Sequence, residues 1–310
     1  MGTEANPNLT FRQDLTDIAL GIVDDSEKKI AEIKRIAPVV PTGVLAGRYP
    51  EFNNIQDFAV TDTKRVAGGK TAEAKFAGKM TDFTLQPNAL KLGVDQEIEL
   101  PMAGGNAAVV EAAKTHTLVT QAIGSLANDV YTVVLAGRSA HATFGAWSDA
   151  DVDPMDQLEQ AAIEIYEATG MWPNKIDITP TMWRLLKKHS LTLKRFGGKQ
   201  GAINMADVGN EIGIPDMQLV TAAGLASGDF GQSSVTFAPR LGNSAWVYYS
   251  NPIANGMNAT FAMTLSQTAD LVGGVYEYLT EDGTCRMLRL AWFVKAVVVA
   301  AGLARRIVSK

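Results

Sequence analysis

The sequence predicts an α+β fold, and three observations carry the prediction. Residues 47–100 show period-two patterning at both ends of a polar, glycine-containing segment. Residues 106–135 hold a helical period across some thirty positions. Residues 150–250 alternate helix and strand signals, and a run of antiparallel strand signals follows them. At 310 residues the chain has about twice a typical domain length of roughly 150, enough for a sizeable core. Hydrophobic residues make up 46% and charged residues 20%, which excludes wholesale disorder and collagen-like or coiled-coil designs. The net charge of −5 is too acidic for a general nucleic-acid binder, whose footprint is a basic excess. The single cysteine, Cys285, cannot close an internal disulfide and shows no sign of an oxidising compartment.

Taken in chain order, residues 1–46 read as an arm rather than a domain. The first ten residues are polar and lack the apolar stretch of a secretory signal, so the chain is expected to be made and kept in a cytoplasm. A short apolar cluster follows (Ile18, Ala19, Leu20, Ile22, Val23), and then a charged helical stretch over 26–35 with Ile30 and Ile33 on one side. Pro38 and Pro41, flanking Val39 and Val40, force an extended path, because proline bars helix continuation and biases its predecessor to β conformations.

Residues 47–100 leave along Tyr49 and Phe52 and return along Leu90, Leu92, Val94, Ile98 and Leu100, the pattern of a long hairpin. Between positions 61 and 79 its tip holds five basic residues (Lys64, Arg65, Lys70, Lys75, Lys79) against Asp62 and Glu73, +3 in a negative protein. A loop of this length with few large apolar side chains cannot bury itself, so it is expected to lie on another molecule.

The helical pattern over 106–135 places Val109, Ala113, His116, Thr120, Ile123, Ala127, Val130 and Val134 on one stripe. Thirty residues span about 45 Å at 1.5 Å each, the length of a strut joining parts of a molecule. Gly124 weakens its middle, and Gly137 is a plausible stop.

Asp153-Pro154-Met155-Asp156 supplies a cap acceptor, a proline at the first helical position and a carboxylate two residues on, ahead of an amphipathic helix. A strand at 176–178, a helix capped by Thr179-Pro180, a basic loop, a short helix at 205–212 and strands near 217–220, 235–237 and 245–249 complete an α/β unit. Strands are expected at 259–265, 272–279 and 285–294, with a turn at Glu281-Asp282-Gly283 and a closing helix-like segment over 296–307. The apolar run 291–304 contains Lys295 and Gly302 and falls short of the ~20 residues that cross a bilayer, so no membrane partner is expected.

Linear motifs for chemistry fail on inspection. Gly68-Gly69-Lys70-Thr71 copies the end of a phosphate-binding loop, but its first required glycine is Lys64. Asp149, Asp151 and Asp153 have the opening spacing of a calcium loop, yet the obligatory glycine is Pro154 and the closing glutamate is Gln160. His116, His141 and His189 are isolated, no serine occupies a G-x-S-x-G elbow, and Cys285 lies in an expected strand with no basic helix terminus nearby. No catalytic, cofactor-binding or metal-ligating residue is assigned, and no cofactor is expected.

The order of arm, basic hairpin, lone strut helix, α/β unit and closing antiparallel strands resembles the major capsid proteins of tailed bacteriophages with the Hong Kong 97-type fold. The strings Ile33-Lys-Arg-Ile-Ala-Pro-Val-Val-Pro41 with Gly47-Arg-Tyr49, Gly-Met-Trp-Pro-Asn174 and Thr-Pro-Thr-Met-Trp183 are similar to stretches of that family. The resemblance implies an N-terminal arm (1–46), an E-loop with flanking strands (47–100), a peripheral domain with its spine helix (101–140), an axial domain (141–255) and a return to the peripheral domain (256–310). It implies a structural protein of the virion, not an enzyme. Hexamers and pentamers would close an icosahedral shell around double-stranded DNA, assembled in the host bacterial cytoplasm. Portal and a separate scaffolding protein would be its assembly partners, a decoration protein is left open, and DNA would be confined without specific contact.

Charge placement suggests how copies meet. Residues 149–177 hold Asp149, Asp151, Asp153, Asp156, Glu159, Glu164, Glu167 and Asp177 against Lys175 alone. The basic hairpin (Arg48, Lys64, Arg65, Lys70, Lys75) is therefore expected to dock on an acidic surface of a neighbouring subunit. Asp153 and Asp156, together with Glu97, Glu99 and Glu111 beside the spine, are the candidate acceptors. Two alternatives carry the same residues: an encapsulin-like nanocompartment shell and, in a different class, a soluble α/β enzyme with the hairpin as a lid.

Overall fold

The computed structural model describes residues 9–25, 27–52, 64, 79–102, 106–197, 203–227, 236–251, 258–269, 271, 273–281 and 283–308. The chain opens with a short strand β1 (Thr10–Phe11), helices α1 (Gln13–Asp25) and α2 (Glu27–Ile36), and strand β2 (Val39–Pro41). These elements pack against the rest of the protein. Leu15, Ala19, Ile30, Ile33 and Ile36 are buried, because the apolar positions recur at helical spacing and face the rest of the protein. Strands β3 (Ala46–Glu51) and β4 (Lys79–Thr84) pair antiparallel, from Ala46 opposite Thr84 to Glu51 opposite Lys79, and form the root of the expected hairpin. The tip, apart from Lys64, lies outside the described residues.

Strand β5 (Gln86–Asp95) and a short helix α3 (Glu99–Met102) lead into α4 (Ala107–Gly137), the strut expected over 106–135. Its length and apolar content match a membrane span, yet half of that apolar window is buried inside the protein. The buried stripe is Glu111, Thr115, Leu118, Val119, Ala122, Ile123, Leu126, Ala127, Val130, Tyr131 and Val134. The expected stripe therefore holds only from Ile123 onward. Val109, Ala113, His116 and Thr120 are exposed, and the N-terminal half instead buries polar Glu111 and Thr115, which an apolar pattern cannot report.

Helix α5 (Pro154–Thr169), strand β6 (Lys175–Ile178), helices α6 (Pro180–Lys188), α7 (Ser190–Arg195) and α8 (Met205–Ile212), and strands β7 (Met217–Leu219), β8 (Ala223–Ser227), β9 (Thr236–Pro239) and β10 (Ser244–Tyr248) build the α/β unit. Asp153 caps α5 by accepting from the Met155 N–H at 2.9 Å, and Gly170, at φ 72°, ends it in the left-handed conformation that glycine tolerates. Thr179 does not cap α6 with its side chain; its hydroxyl donates instead to the Ser244 carbonyl at 3.2 Å.

Strands β11 (Ala262–Ser266), β12 (Val275–Leu279), β13 (Cys285–Val298) and β14 (Ala304–Val308) close the chain. The helix-like ending expected over 296–307 is not formed. Val297 and Val298 prolong β13 along β11, a 3-10 turn spans Ala301–Leu303, and Ile307 lies opposite Ala245 on β10. β-Branched side chains fit a pleated surface better than a helix, and the pairing partner decides the outcome.

Two larger sheets result. One runs β1-β12-β13-β11-β2, with β5 also paired to β13 from Gln86 opposite Val294 to Asp95 opposite Cys285. Leu288, Leu290, Trp292 and Val294 of β13 are buried at period two, and α4 packs on this sheet. The second sheet is β14-β10-β6-β7, with β6 and β7 parallel and the remaining pairs antiparallel. All five residues of β10 are buried, as a central strand covered on both faces requires.

Candidate functional site

Among the described residues, those singled out by charge fall into two groups: those presented on the surface and those closed inside the protein. At the hairpin root, Tyr49, Phe52, Phe83 and Leu85 are buried, and the Phe52 N–H donates to the Val299 carbonyl at 2.8 Å. This anchors the root on the end of the long strand β13. Arg48 stands outside it, 2.7 Å from Asp82 with both side chains largely exposed, a pair contributing about 0–1 kcal/mol. Val44, Leu45 and Met80 leave apolar surface beside it. Lys64 is exposed, while Arg65, Lys70 and Lys75 lie outside the described residues.

Of the acidic candidates near the spine, Glu97 is exposed, and its backbone N–H donates to the Asp95 carboxylate at 2.8 Å. Glu99 accepts from Lys114 Nζ at 2.6 Å, a bond that lowers its carboxyl below the ordinary range. Glu111 departs from expectation. It is only 3% exposed, accepting from Arg12 at 3.0 Å and Arg286 at 2.6 Å, so this conformation presents no surface of it to another chain. Arg12 also pairs with Glu277 and Asp14, which ties the chain start, the spine and strands β12 and β13 into one cluster.

The acidic stretch 149–177 is likewise divided. Asp177 is buried and accepts from Arg35 Nε at 2.6 Å and from the Tyr248 hydroxyl at 2.8 Å. Arg35 completes its fork on Asp216, with Nη1 donating to the carboxylate at 2.6 Å and Nη2 to the carbonyl at 2.7 Å. Burial pushes the Asp177 carboxyl up against the pull of Arg35. Glu164 is held by Arg305 and His141, both at 2.9 Å, and Asp153 pairs with Arg195 at 2.9 Å while it caps α5. Asp149, Asp151, Asp156, Glu159 and Glu167 remain exposed, so the acidic surface is narrower than the sequence count suggests.

The Arg35 bolt joins α2 to the second sheet and was missed by reading motifs. Its signal was present: Asp177 sits between Ile176 and Ile178 in a strand otherwise apolar, and a carboxylate there demands a partner. Among the described residues no group of histidine, cysteine, aspartate or glutamate is arranged to hold a metal. A groove of about 570 Å³ opens between α2, α4 and the β8–β9 ribbon, lined by Lys29, Glu32, Thr120, Thr221, Phe237 and Arg240 among others. One oxygen of the Glu32 carboxylate accepts from the Thr221 N–H and hydroxyl at 3.2 and 3.0 Å, and its other oxygen is buried without a hydrogen-bond partner among the described residues. What the described residues offer is charged and apolar surface.

No protein-family model matches the sequence, and no curated protein matches it. Solved structures do. The chain is similar to a phage-related protein from Bordetella bronchiseptica, with a TM-score of 0.70, 18% identity and 97% of each chain covered. It is similar to a virus-like particle from Pyrococcus furiosus, with a TM-score of 0.55, 12% identity, and 96% of this chain and 98% of that one covered. It is also similar to the capsid of Myoviridae phage XM1, with a TM-score of 0.52, 11% identity, and coverage of 87% and 88%. At these identities the likeness is one of fold, and it extends over nearly the whole chain.

Proposed function

We propose that this chain, which has the Hong Kong 97-type fold of tailed-phage capsid proteins, is a major capsid protein whose hexamers and pentamers close an icosahedral shell around double-stranded DNA. The observation that carries the reading is the fold match to a phage-related protein across 97% of both chains. In this reading residues 47–100 are the E-loop, 101–140 carry the spine, 141–255 are the axial domain and 256–310 return to the peripheral domain. The chain acts by assembling, not by catalysis. Portal and a separate scaffolding protein serve its assembly in the host bacterial cytoplasm.

The charge distribution supports this reading. A chain of net charge −5 repels phosphates where a basic one would bind them, which suits a shell that confines DNA without gripping it. A basic hairpin with its root pinned on β13 is suited to reach a neighbouring copy. A cellular nanocompartment shell is the rival within the same fold, which the particle from Pyrococcus furiosus also adopts.

Negative-stain electron microscopy of the purified chain tests the proposal. Closed particles tens of nanometres across are the expected result, and a discrete monomer under all conditions overturns it. Particles isolated from cells separate the two shell readings, since double-stranded DNA inside supports the phage and an enclosed enzyme supports the compartment.

A further inference from the structure

We propose that α5 and the α6–α7 pair are the two halves of one self-interface, the acidic outer face of α5 in one copy docking on the basic outer face of α6–α7 in the next. The inference rests on the shell reading and names a contact that would build it. Helix α5 carries four acidic residues and no basic one, whereas residues 180–197 carry five basic residues and no acidic one.

Very little of this charge is neutralised inside the subunit. Asp153 at the cap of α5 meets Arg195, and Glu164 turns to Arg305 and His141. Asp156, Glu159 and Glu167 are exposed and make no ion pair among the described residues, and the same holds for Arg184, Lys188 and Lys194.

The acidic face also has an apolar centre. Ile163, Tyr166 and Trp172 are 40%, 53% and 41% exposed, and the rings of Tyr166 and Trp172 meet edge on at 6.1 Å between centroids. Exposed aromatics beside exposed charges are features of a protein interface. Two acidic faces repel each other, as do two basic ones, so neither surface can pair with itself. The complementary charge lies on the same chain, which makes a second copy the occupant. A contact between two different surfaces repeats head to tail and closes into a ring when the rotation permits.

Charge reversal in both halves tests this. One variant carries Glu159→Lys and Glu167→Lys, the other Lys188→Glu and Lys194→Glu, with circular dichroism verifying that both fold. Each alone is expected to lose assembly by sedimentation and electron microscopy. Mixing the two, or combining all four changes in one chain, is expected to restore association, and association of the unmodified chain weakens toward 1 M salt, where the Debye length is about 3 Å. If the α5 variant forms shells of unchanged yield and size, the inference falls and the shell reading stands. If its defect is repaired by reversing Lys64 and Arg65 instead of Lys188 and Lys194, α5 receives the hairpin and the inference falls. A native chain that never forms particles overturns the shell reading. Even then, association of the two mixed variants supports the paired faces, and its absence refutes them.

Discussion

Arg35 shows how single residues hold this subunit together. The residue is 8% exposed, and its guanidinium reaches Asp177, Asp216 and the Ile176 carbonyl, while Tyr248 satisfies the other oxygen of Asp177. A buried pair of this kind contributes little over an apolar substitute, but losing one partner strands a charge. Arg35→Met is therefore expected to cost about 3–5 kcal/mol in chemical denaturation, whereas Arg48→Met at the exposed hairpin pair costs about 0–1 kcal/mol. Arg12 acts at the opposite end of the charge scale. Its guanidinium beside Asp14 holds that carboxyl down to about 2 from an ordinary 3.8. A carboxyl lowered on folding stabilises the native state fully above its unfolded value and loses that effect as pH falls through its folded value. Asp14→Asn is thus expected to flatten the loss of stability between about pH 4 and pH 2, the variant being less stable than the parent near neutrality and converging on it below about pH 2. An unchanged acid titration would exclude the pair as its source.

At the scale of elements, the spine helix α4 carries two glycines with opposite roles. A methyl group on Gly124 would meet nothing within 4 Å, so Gly124→Ala removes only the conformational cost of glycine in a helix and is expected to stabilise by about 0.5–1 kcal/mol. A methyl on Gly137 would lie 2.4 Å from Cγ2 of Val298, where the helix end crosses strand β13. Val298 is stiff about its first side-chain torsion and cannot swing aside. Gly137→Ala is expected to destabilise by roughly 1–3 kcal/mol, and adding Val298→Ala to recover most of the loss. Melting of the two single variants in the same direction would contradict this division. Helix α5 was legible at its start, since Asp153-Pro154 is a local signal with a local consequence. The last strand was not, because Ala304–Val308 takes its conformation from β10, some sixty residues earlier.

Among the described residues two larger sheets are each tied to a helix by a charged network, the first to α4 through Arg12, Glu111 and Arg286 and the second to α2 through Arg35, with charged and aromatic faces left outside. Charge at the hairpin tip is tested at this scale. Reversing Lys64 and Arg65 to glutamate is expected to impair shell assembly seen by microscopy while the monomer keeps its far-ultraviolet circular dichroism. Shells of normal yield would remove the hairpin charge from assembly. The acidic surface available to such contacts is smaller than composition implies, because Glu111, Glu164 and Asp177 face cations of their own chain and Asp153 already holds both Arg195 and the start of α5.

Sequence alone determined what depends on near neighbours along the chain: the extent of α4 and α8, the cap of α5, the extended path at Val39–Pro41 and the order of elements that resembles a capsid protein. Helical period, capping and proline geometry act over a few residues, so they can be read from a few residues. Tertiary structure decided which charges meet and which remain outside. Arg35 finds Asp177 across 142 positions and Glu111 finds Arg286 across 175, and no local pattern encodes such distances. The cost of burying a carboxylate without a partner demands those pairings, and only the folded chain determines which cation supplies each one.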